Sequence, residues 1–454
     1  MTGRRPIHLV GIGGAGMSGL ARLAAAAGYS VSGTDRSESP TLDALRQVGV
    51  QARAGHSAAL PAETAAIVVS TAVAEDTPDL VEGRRRGLPV MHRADLLAEL
   101  MRGHRGLTVA GAHGKSTTSA MLRLMLGGAS ACIGATIEGG SGTGAVWGDG
   151  PWFVAEADES DRSLLKLAPH ATILLNVDHD HHSTYASIDE VEEVFAAHLA
   201  TVPSNGLVVA GPDARAWRLA VASGRPCRLI GAGADAWGDV VDVDTGRALN
   251  LTDGRLVELP LMVPGRHNAT NAACAIALAD WCGVPPEVAT ERLRDFAGVG
   301  RRFELRGEVA GIRIVDDYAH HPEEVAATLA GARETHDGRI IAVFQPHLFS
   351  RTRALAAAFG EALAAADVAI VTDVYAAREP DDPEIDGTTV TRTIPSGTVA
   401  VHAPSLPDAA REVLARVRPG DLVLTIGAGD ITTLGQELTL ALQNQYGDGD
   451  SAGG

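Results

Sequence analysis

Ile7-His-Leu-Val-Gly-Ile-Gly-Gly-Ala-Gly-Met-Ser-Gly19 and Leu107-Thr-Val-Ala-Gly-Ala-His-Gly-Lys-Ser-Thr-Thr118 follow one plan: a short apolar run, a glycine-rich turn, then a helical pattern of small residues. An apolar strand that feeds a helix through glycines is the opening of a βαβ unit, and two of them imply parallel sheets rather than an all-helical or all-β fold. The first turn, Gly11-Ile-Gly-Gly-Ala-Gly16, fits GxGxxG, and Asp35 closes the next expected strand, where a ribose-binding acid often sits. Such a loop holds a diphosphate on a helix N-terminus, and its pattern leaves a dinucleotide and a UDP-sugar both open. In the second turn Val109 occupies the first glycine position of a full P-loop, but the working end, Gly114-Lys115-Ser116, is intact. Gly111, Ala112, His113, Gly114 and Thr117 surround a lysine able to reach a phosphate, and Ser116 offers a hydroxyl to Mg²⁺. ATP is the expected ligand here.

Outward from these loops, strand-like runs and helical patterns alternate. Tyr29–Thr34, Ile67–Thr71 and Pro89–His92 complete a first series, and Trp152–Ala155, Thr172–Asn176 and Leu207–Ala210 follow the second loop. Short strands with Asp-Gly turns occupy residues 240–260, and a helix is expected over Asn268–Cys282. A third series comprises Ile312–Asp316, Arg339–Phe344, Val368–Thr372, Thr398–Val401 and Asp421–Ile426. Glycine-marked breaks near residues 103 and 299 predict three α/β domains: a Rossmann-like domain over 1–103, a central P-loop-type ATPase domain over 104–298 and a second Rossmann-like domain over 299–454.

The chain of 454 residues carries a formal charge of −18, with 45% hydrophobic and 21% charged residues. That composition excludes a disordered or low-complexity protein, and the negative field disfavours nucleic acid and anionic membranes as partners. Of its 38 basic residues 36 are Arg and two are Lys, Lys115 and Lys166. Arg replaces Lys on a solvated surface at little cost but not where a compact ammonium is needed, so the lysine kept in the P-loop stands out. Lys166, outside every motif, reads as an ordinary surface residue. Four cysteines without a CxxC pair argue against a disulfide framework or structural zinc. No apolar run reaches 18 residues, and the stretch from Ile7 is broken by glycines, unlike a signal peptide; the expected compartment is the cytoplasm.

Two nucleotide-type loops in successive domains separate the possible activities. A nicotinamide dehydrogenase leaves the second loop idle, and a nucleotide-sugar binding protein without chemistry has no use for the lysine. An ATP-dependent enzyme acting on a phosphorylated substrate employs both.

Over nearly its whole length the chain resembles the Mur ligases of peptidoglycan synthesis. The resemblance rests on the two loops and on Glu156-Ala-Asp-Glu-Ser-Asp161, Gly265-Arg-His-Asn-Ala-Thr-Asn271, Gly298-Val-Gly-Arg-Arg-Phe-Glu304 and Asp316-Asp-Tyr-Ala-His-His-Pro322, with Phe344-Gln-Pro-His347 and Asp373-Val-Tyr375. It implies ATP-driven amide formation between the carboxylate of UDP-N-acetylmuramate and L-alanine through an acyl phosphate, by a monomer or weak homodimer. The alternative inside the family attaches a murein tripeptide to the same nucleotide sugar.

The resemblance also implies roles. Gly13, Gly14, Gly16, Met17, Ser18 and Asp35 would hold the nucleotide sugar, and Lys115 would stabilise the transferring phosphoryl group. Ser116, Glu156 and His181 would ligate Mg²⁺. The four carboxylates of Glu156–Asp161 repel one another, which favours a cation among them. Asn268 and Asn271 look like contacts on the adenine side, Asp317 like the acid for the ATP ribose, and Arg302 like a phosphate contact. Tyr318 and His320 would lie by L-alanine, with Arg351 on its carboxylate and His320 or His321 taking the ammonium proton. Ser183, Ala112 and Leu348 depart from the commonest family pattern. The absence of lysine after Lys166 excludes a carbamylated lysine downstream. Reactants carried by different domains lead to an expectation of closure on binding.

Overall fold

A computed structural model describes residues 5–137, 143–179, 184–244, 246–377 and 379–446. Three sheets organise the chain. The first is wholly parallel, in the order β3-β2-β1-β4-β5, from β1 (Ile7–Val10), β2 (Val31–Asp35), β3 (Gln51–Ala54), β4 (Ala66–Val69) and β5 (Val90–His92). The strand order reverses between β1 and β4, and the glycine loop leaves β1 at that switch point, where open α/β sheets bind ligands.

The second sheet runs β15-β14-β13-β12-β11-β10-β6-β9-β7-β8. Its parallel centre is β6 (Arg105–Ala110), with β9 (Trp152–Glu156) on one side and β10 (Ala171–Leu174) on the other; β7 (Ser130–Cys132) and β8 (Ala145–Val146) lie beyond β9. β11 (Leu207–Ala210), β12 (Cys227–Ile230) and β13 (Ala236–Val243) extend it, and β14 (Gly246–Leu251) with β15 (Leu256–Glu258) form an antiparallel edge. Register places Val109 beside Glu156 and Ala110 beside Leu174. The residues that follow β6, β9 and β10 therefore emerge together at one sheet end.

The third sheet has the order β16-β17-β21-β18-β19-β20: β16 (Glu304–Val309), β17 (Ile312–Asp317), β18 (Ile340–Phe344), β19 (Val368–Val371), β20 (Val399–His402) and β21 (Leu422–Ile426). Only β16 is antiparallel. Alternate residues serve opposite cores. Val315 and Phe344 join one buried cluster with Phe359; Ile314 and Val343 join another with Leu434. Helices on both faces explain why these strands read as continuous apolar runs.

By contacts the chain divides into two compact units. One holds Met1–Leu261 and Ala269–Ala297, with the first two sheets; the other holds Met262–Asn268 and Gly298–Gly454, with the third. Among the described residues no helix is long and apolar enough to cross a membrane.

Candidate active site

In the first unit the glycine loop folds back on β2. Gly11 and Ile12 donate to the Thr34 carbonyl at 2.8 and 3.0 Å, and Gly13 N–H donates to Asp35 Oδ2 at 2.7 Å. A Cβ on Gly13 would stand 2.9 Å from that oxygen, so any larger residue has to push the Asp35 carboxylate aside. Asp35 thus shapes the loop with one oxygen, while the other accepts Arg36 N–H. The helix Ala15–Ala26 starts immediately after, with Gly14 as its uncapped N-cap. Met17 is buried in the core, so what it presents to a ligand is backbone.

The second loop is tighter. Gly111 (φ +130°) and Gly114 (φ +84°) take conformations that side chains resist, and Gly114 caps the helix Lys115–Leu126. A Cβ on Gly114 would stand 2.8 Å from the Asn271 side chain, which places Asn271 against the turn. Asn176, just past β10, grips the loop from both sides: its Oδ1 accepts His113 N–H at 2.9 Å and its Nδ2 donates to the His113 carbonyl at 3.2 Å.

Lys115 is not extended. Its ammonium donates to the carbonyls of Gly111 (2.6 Å) and Ala112 (3.1 Å) and to both oxygens of Glu159 (3.0 and 2.9 Å). Burial works against its charge, but the carboxylates of Glu159 and Asp158 outweigh it and hold the amine above its ordinary pKa. Beside it, Glu156 accepts Gly134 N–H at 2.8 Å and bonds the Ser116 hydroxyl. Burial dominates there and raises the Glu156 carboxyl above the usual range, despite those bonds and the nearby lysine. A desolvated carboxylate touching a hydroxyl is an oxygen-donor pair of the kind Mg²⁺ takes. His181, the third expected ligand, lies outside the described residues, as does Ser183.

Like-charge crowding is not the state of Glu156–Asp161. Glu159 is paired with Lys115, and Asp158 and Asp161 accept from Arg93 Nη2 at 2.7 and 3.4 Å. Sequence spacing set these acids side by side without revealing the cations that arrive from the starts of two helices, Arg93 from more than sixty positions away. Lys166, read as an ordinary surface residue, pairs with Asp95 at 2.9 Å, though both remain well exposed.

In the second unit, Asp317 is buried, and both its oxygens are engaged by backbone: Phe303 N–H and Ala319 N–H, each at 2.8 Å. Burial, only partly offset by Arg302, raises its carboxyl pKa. Its neighbour Asp316 is wholly buried and bonds Thr425 and Thr432 at 2.8 Å, a structural assignment that adjacency alone does not make. Arg301 and Arg302 both lie over the Tyr318 ring, 4.9 and 5.3 Å from its centroid. Arg302 reaches Glu324 at 3.4 Å; burial opposes its charge, and Glu324 and Asp317 keep its pKa raised. His320 Nδ1 sits 3.0 Å from the Tyr318 carbonyl, and its ring meets His347 edge-on at 5.9 Å; His347 in turn stacks on Tyr375. Arg351, in the helix Phe349–Leu363, is 4% exposed and follows Leu348, whose φ of +72° marks a strained turn. Asn268 is turned inward, donating to the Pro264 carbonyl at 2.6 Å. Sequence reasoning gave no role to Arg93, Asn176 or Glu324, and it quoted Gln345 in a motif without its 2.7 Å bond to Asp430.

Comparison with known proteins gives the family. Residues 6–105 match the Mur ligase family catalytic domain, 149–279 the Mur ligase middle domain and 301–429 the Mur ligase glutamate ligase domain. A UDP-N-acetylmuramate–L-alanine ligase of Kineococcus radiotolerans is 47% identical, with 95% of each chain covered. That of Streptomyces coelicolor is 43% identical, over 95% of this chain and 96% of the other. The solved UDP-N-acetylmuramate–alanine ligase of Thermotoga maritima superposes with a TM-score of 0.82 at 27% identity, over 97% of this chain and all of the other. A murein peptide ligase of Psychrobacter arcticus gives 0.71 at 25% identity, over 97% and 99%.

Proposed function

The chain belongs to the Mur ligase family, and we infer that it is the ATP-dependent ligase that joins L-alanine to the carboxylate of UDP-N-acetylmuramate, releasing ADP and phosphate. The observation that carries this reading is the meeting of Lys115, Ser116 and Glu156 at the end of β6 and β9, in the same compact unit as another glycine loop that carries no lysine of its own. One loop suits a diphosphate that stays intact, the other a phosphate that is transferred.

Amide synthesis from a carboxylate needs that carboxylate activated. The muramoyl oxygen attacks the γ-phosphorus of ATP, ADP departs, and the acyl phosphate is then attacked by the amine of L-alanine, expelling phosphate. Such transfers depend on positioning and charge stabilisation more than on covalent help from the protein. Lys115 meets the charge that develops on the phosphoryl oxygens, moving from the Gly111 and Ala112 carbonyls onto phosphate. Ser116 and Glu156, with His181, are the residues we assign to Mg²⁺, which when bound neutralises phosphate charge. We assign Gly13, Gly14, Gly16, Met17 and Ser18 to the nucleotide sugar: Gly16 and Met17, in the first turn of the helix, turn backbone N–H groups to its diphosphate, while Gly13 and Gly14, whose own N–H groups bond Asp35 and the Gly11 carbonyl, shape the turn, with Asp35 on the ribose. In the second unit we assign Arg302 to phosphate, Asp317 to the ATP ribose, and Tyr318, His320 and Arg351 to L-alanine.

L-Alanine, rather than a tripeptide, is supported by relatives above 40% identity that carry that activity and by the higher TM-score of the alanine ligase. A cytoplasmic location and a monomer or weak homodimer complete the proposal. The test is phosphate release measured with each acceptor alone and both together. Release that requires both UDP-N-acetylmuramate and L-alanine supports the reading; release with the tripeptide in place of L-alanine moves the chain to the alternative activity, and none with either pair overturns the ligase.

A further inference from the structure

Arg93 opens the helix Arg93–Met101, directly after β5 of the first sheet, yet its guanidinium lies against the loop that follows β9 of the second. Nη2 bonds Asp158 at 2.7 Å and Asp161 at 3.4 Å. Each aspartate uses its other oxygen on the loop's own backbone, Asp158 on Ser160 N–H and Asp161 on Ser163 N–H, both at 3.0 Å. The arginine therefore grips two carboxylates that already define the loop's shape. Between them sits Glu159, 3% exposed, whose carboxylate holds the Lys115 ammonium and whose carbonyl accepts the Tyr185 hydroxyl at 2.5 Å.

Nη1 points elsewhere. It lies where a Cβ on Gly16 would be 3.5 Å away, beside the glycine loop's helix, and it lines a cavity of about 230 Å³ shared by Gly16, Gly134, Glu156 and Asp158. One side chain thus borders both the nucleotide-sugar loop and the acids around the P-loop lysine.

We propose that Arg93 is a positioning residue for the ligase reaction: by pairing with Asp158 and Asp161 it leaves Lys115 bonded to Glu159 and keeps the ammonium on the P-loop side. Lys115 already feels the charge of Asp158. Without the guanidinium, Asp158 is a half-buried acid in want of a cation, and Lys115 is the neighbouring one; a buried acid stripped of its partner recruits whatever charge it can reach. The lysine is then drawn deeper into the acids and meets phosphate less readily. A plain link between the two sheets has different consequences, because it touches only the nucleotide-sugar side.

The inference rests on the proposed ligase activity, and the experiment keeps the two separable. Arg93→Met and Arg93→Lys are prepared with Arg93→Met/Asp158→Asn, and thermal melting identifies those that fold. For each, kcat, KM for ATP and KM for UDP-N-acetylmuramate are measured, together with calorimetric MgATP binding in the absence of either acceptor. Arg93→Met should lower kcat by about tenfold or more and raise both KM for ATP and the MgATP dissociation constant, with KM for the nucleotide sugar nearly unchanged. The double variant should recover most of kcat and of MgATP affinity, and Arg93→Lys should fall between. An effect confined to KM for UDP-N-acetylmuramate, unchanged kinetics and binding, or no recovery in the double variant overturns the role. If Arg93→Met does not fold, Arg93→Lys decides by the same split in constants. Wild-type protein that binds MgATP but turns over neither acceptor pair contradicts the ligase reading instead, and the binding series still judges Arg93.

Discussion

The two glycine loops share a strand–turn–helix plan and end with opposite electrostatics. In the first, the nearest ionic group is Asp35, an acid bonded to the loop's own Gly13 N–H. In the second it is Lys115, an ammonium caged by the carbonyls of Gly111 and Ala112 and by Glu159. From its own residues the first loop offers N–H groups and a helix terminus, which suit a diphosphate that stays intact. The second adds a mobile charge and, through Ser116 and Glu156, a place for a divalent cation. Under the proposed function, similar backbones would serve binding in one place and group transfer in the other. The difference lies in what the neighbouring chain delivers, β2 an acid to one loop, and β9 with the loop after it Glu156 and Glu159 to the other.

The largest effect that sharpens this contrast is expected from Lys115→Arg. Charge is preserved, but a planar fork cannot occupy the carbonyl cage or follow the moving phosphoryl group, so kcat should fall by about 10³-fold or more in a phosphate-release assay. Near-normal turnover breaks the distinction between the loops.

Glu156→Gln should separate activity from stability. Activity should drop and the Mg²⁺ needed for half-maximal rate should rise by about tenfold. The folded state favours the protonated form of Glu156, because burial raises its pKa. Its contribution is therefore favourable below the ordinary carboxylate pKa and is lost as pH rises through the raised value. Gln mimics the protonated form, so without metal the variant should melt higher than wild type at pH 7 and at the same temperature near pH 4.

Smaller again is Gly114→Ala. Left-handed backbone and the Asn271 contact at 2.8 Å should together cost about 1–2 kcal/mol in denaturant unfolding and weaken MgATP binding. Gly13→Ala should do least: φ there is unstrained, and the new methyl only pushes on Asp35. KM for UDP-N-acetylmuramate should rise severalfold while MgATP binding, read by calorimetry, stays put. If both substitutions move the same constant, the loops do not serve different ligands.

Much of this arrangement was legible beforehand because strand, glycine turn and helix are local signals. Ile7–Val10, Arg105–Ala110 and the inner strands of the third series, Ile312–Asp317, Ile340–Phe344, Val368–Val371 and Leu422–Ile426, announce themselves by composition, since parallel strands covered on both faces are apolar throughout. Gln51–Ala54 did not, being an edge strand with alternating exposure, and neither did the two- and three-residue strands Ala145–Val146 and Ser130–Cys132, too short to show a period. In the site, Lys115, Ser116 and Glu156 were readable as motif positions. Their electrostatic state was not. It depends on Arg93, Asn176 and Asn271, which fold topology brings in from distant positions, and no spacing rule connects Arg93 to Asp158. Lysine scarcity alone marks two residues; the motif context singled out Lys115 and left Lys166 as a surface residue, and it pairs with Asp95 on the surface.

The account's central claim is that the P-loop lysine serves the phosphorylation of a carboxylate held by the neighbouring loop. The direct measurement uses UDP-N-acetylmuramate with ¹⁸O in its carboxylate, turned over with ATP and L-alanine. Phosphate carrying one ¹⁸O per amide formed is the predicted result, because the attacking carboxylate oxygen leaves with phosphorus. Unlabelled phosphate accompanying amide formation contradicts it.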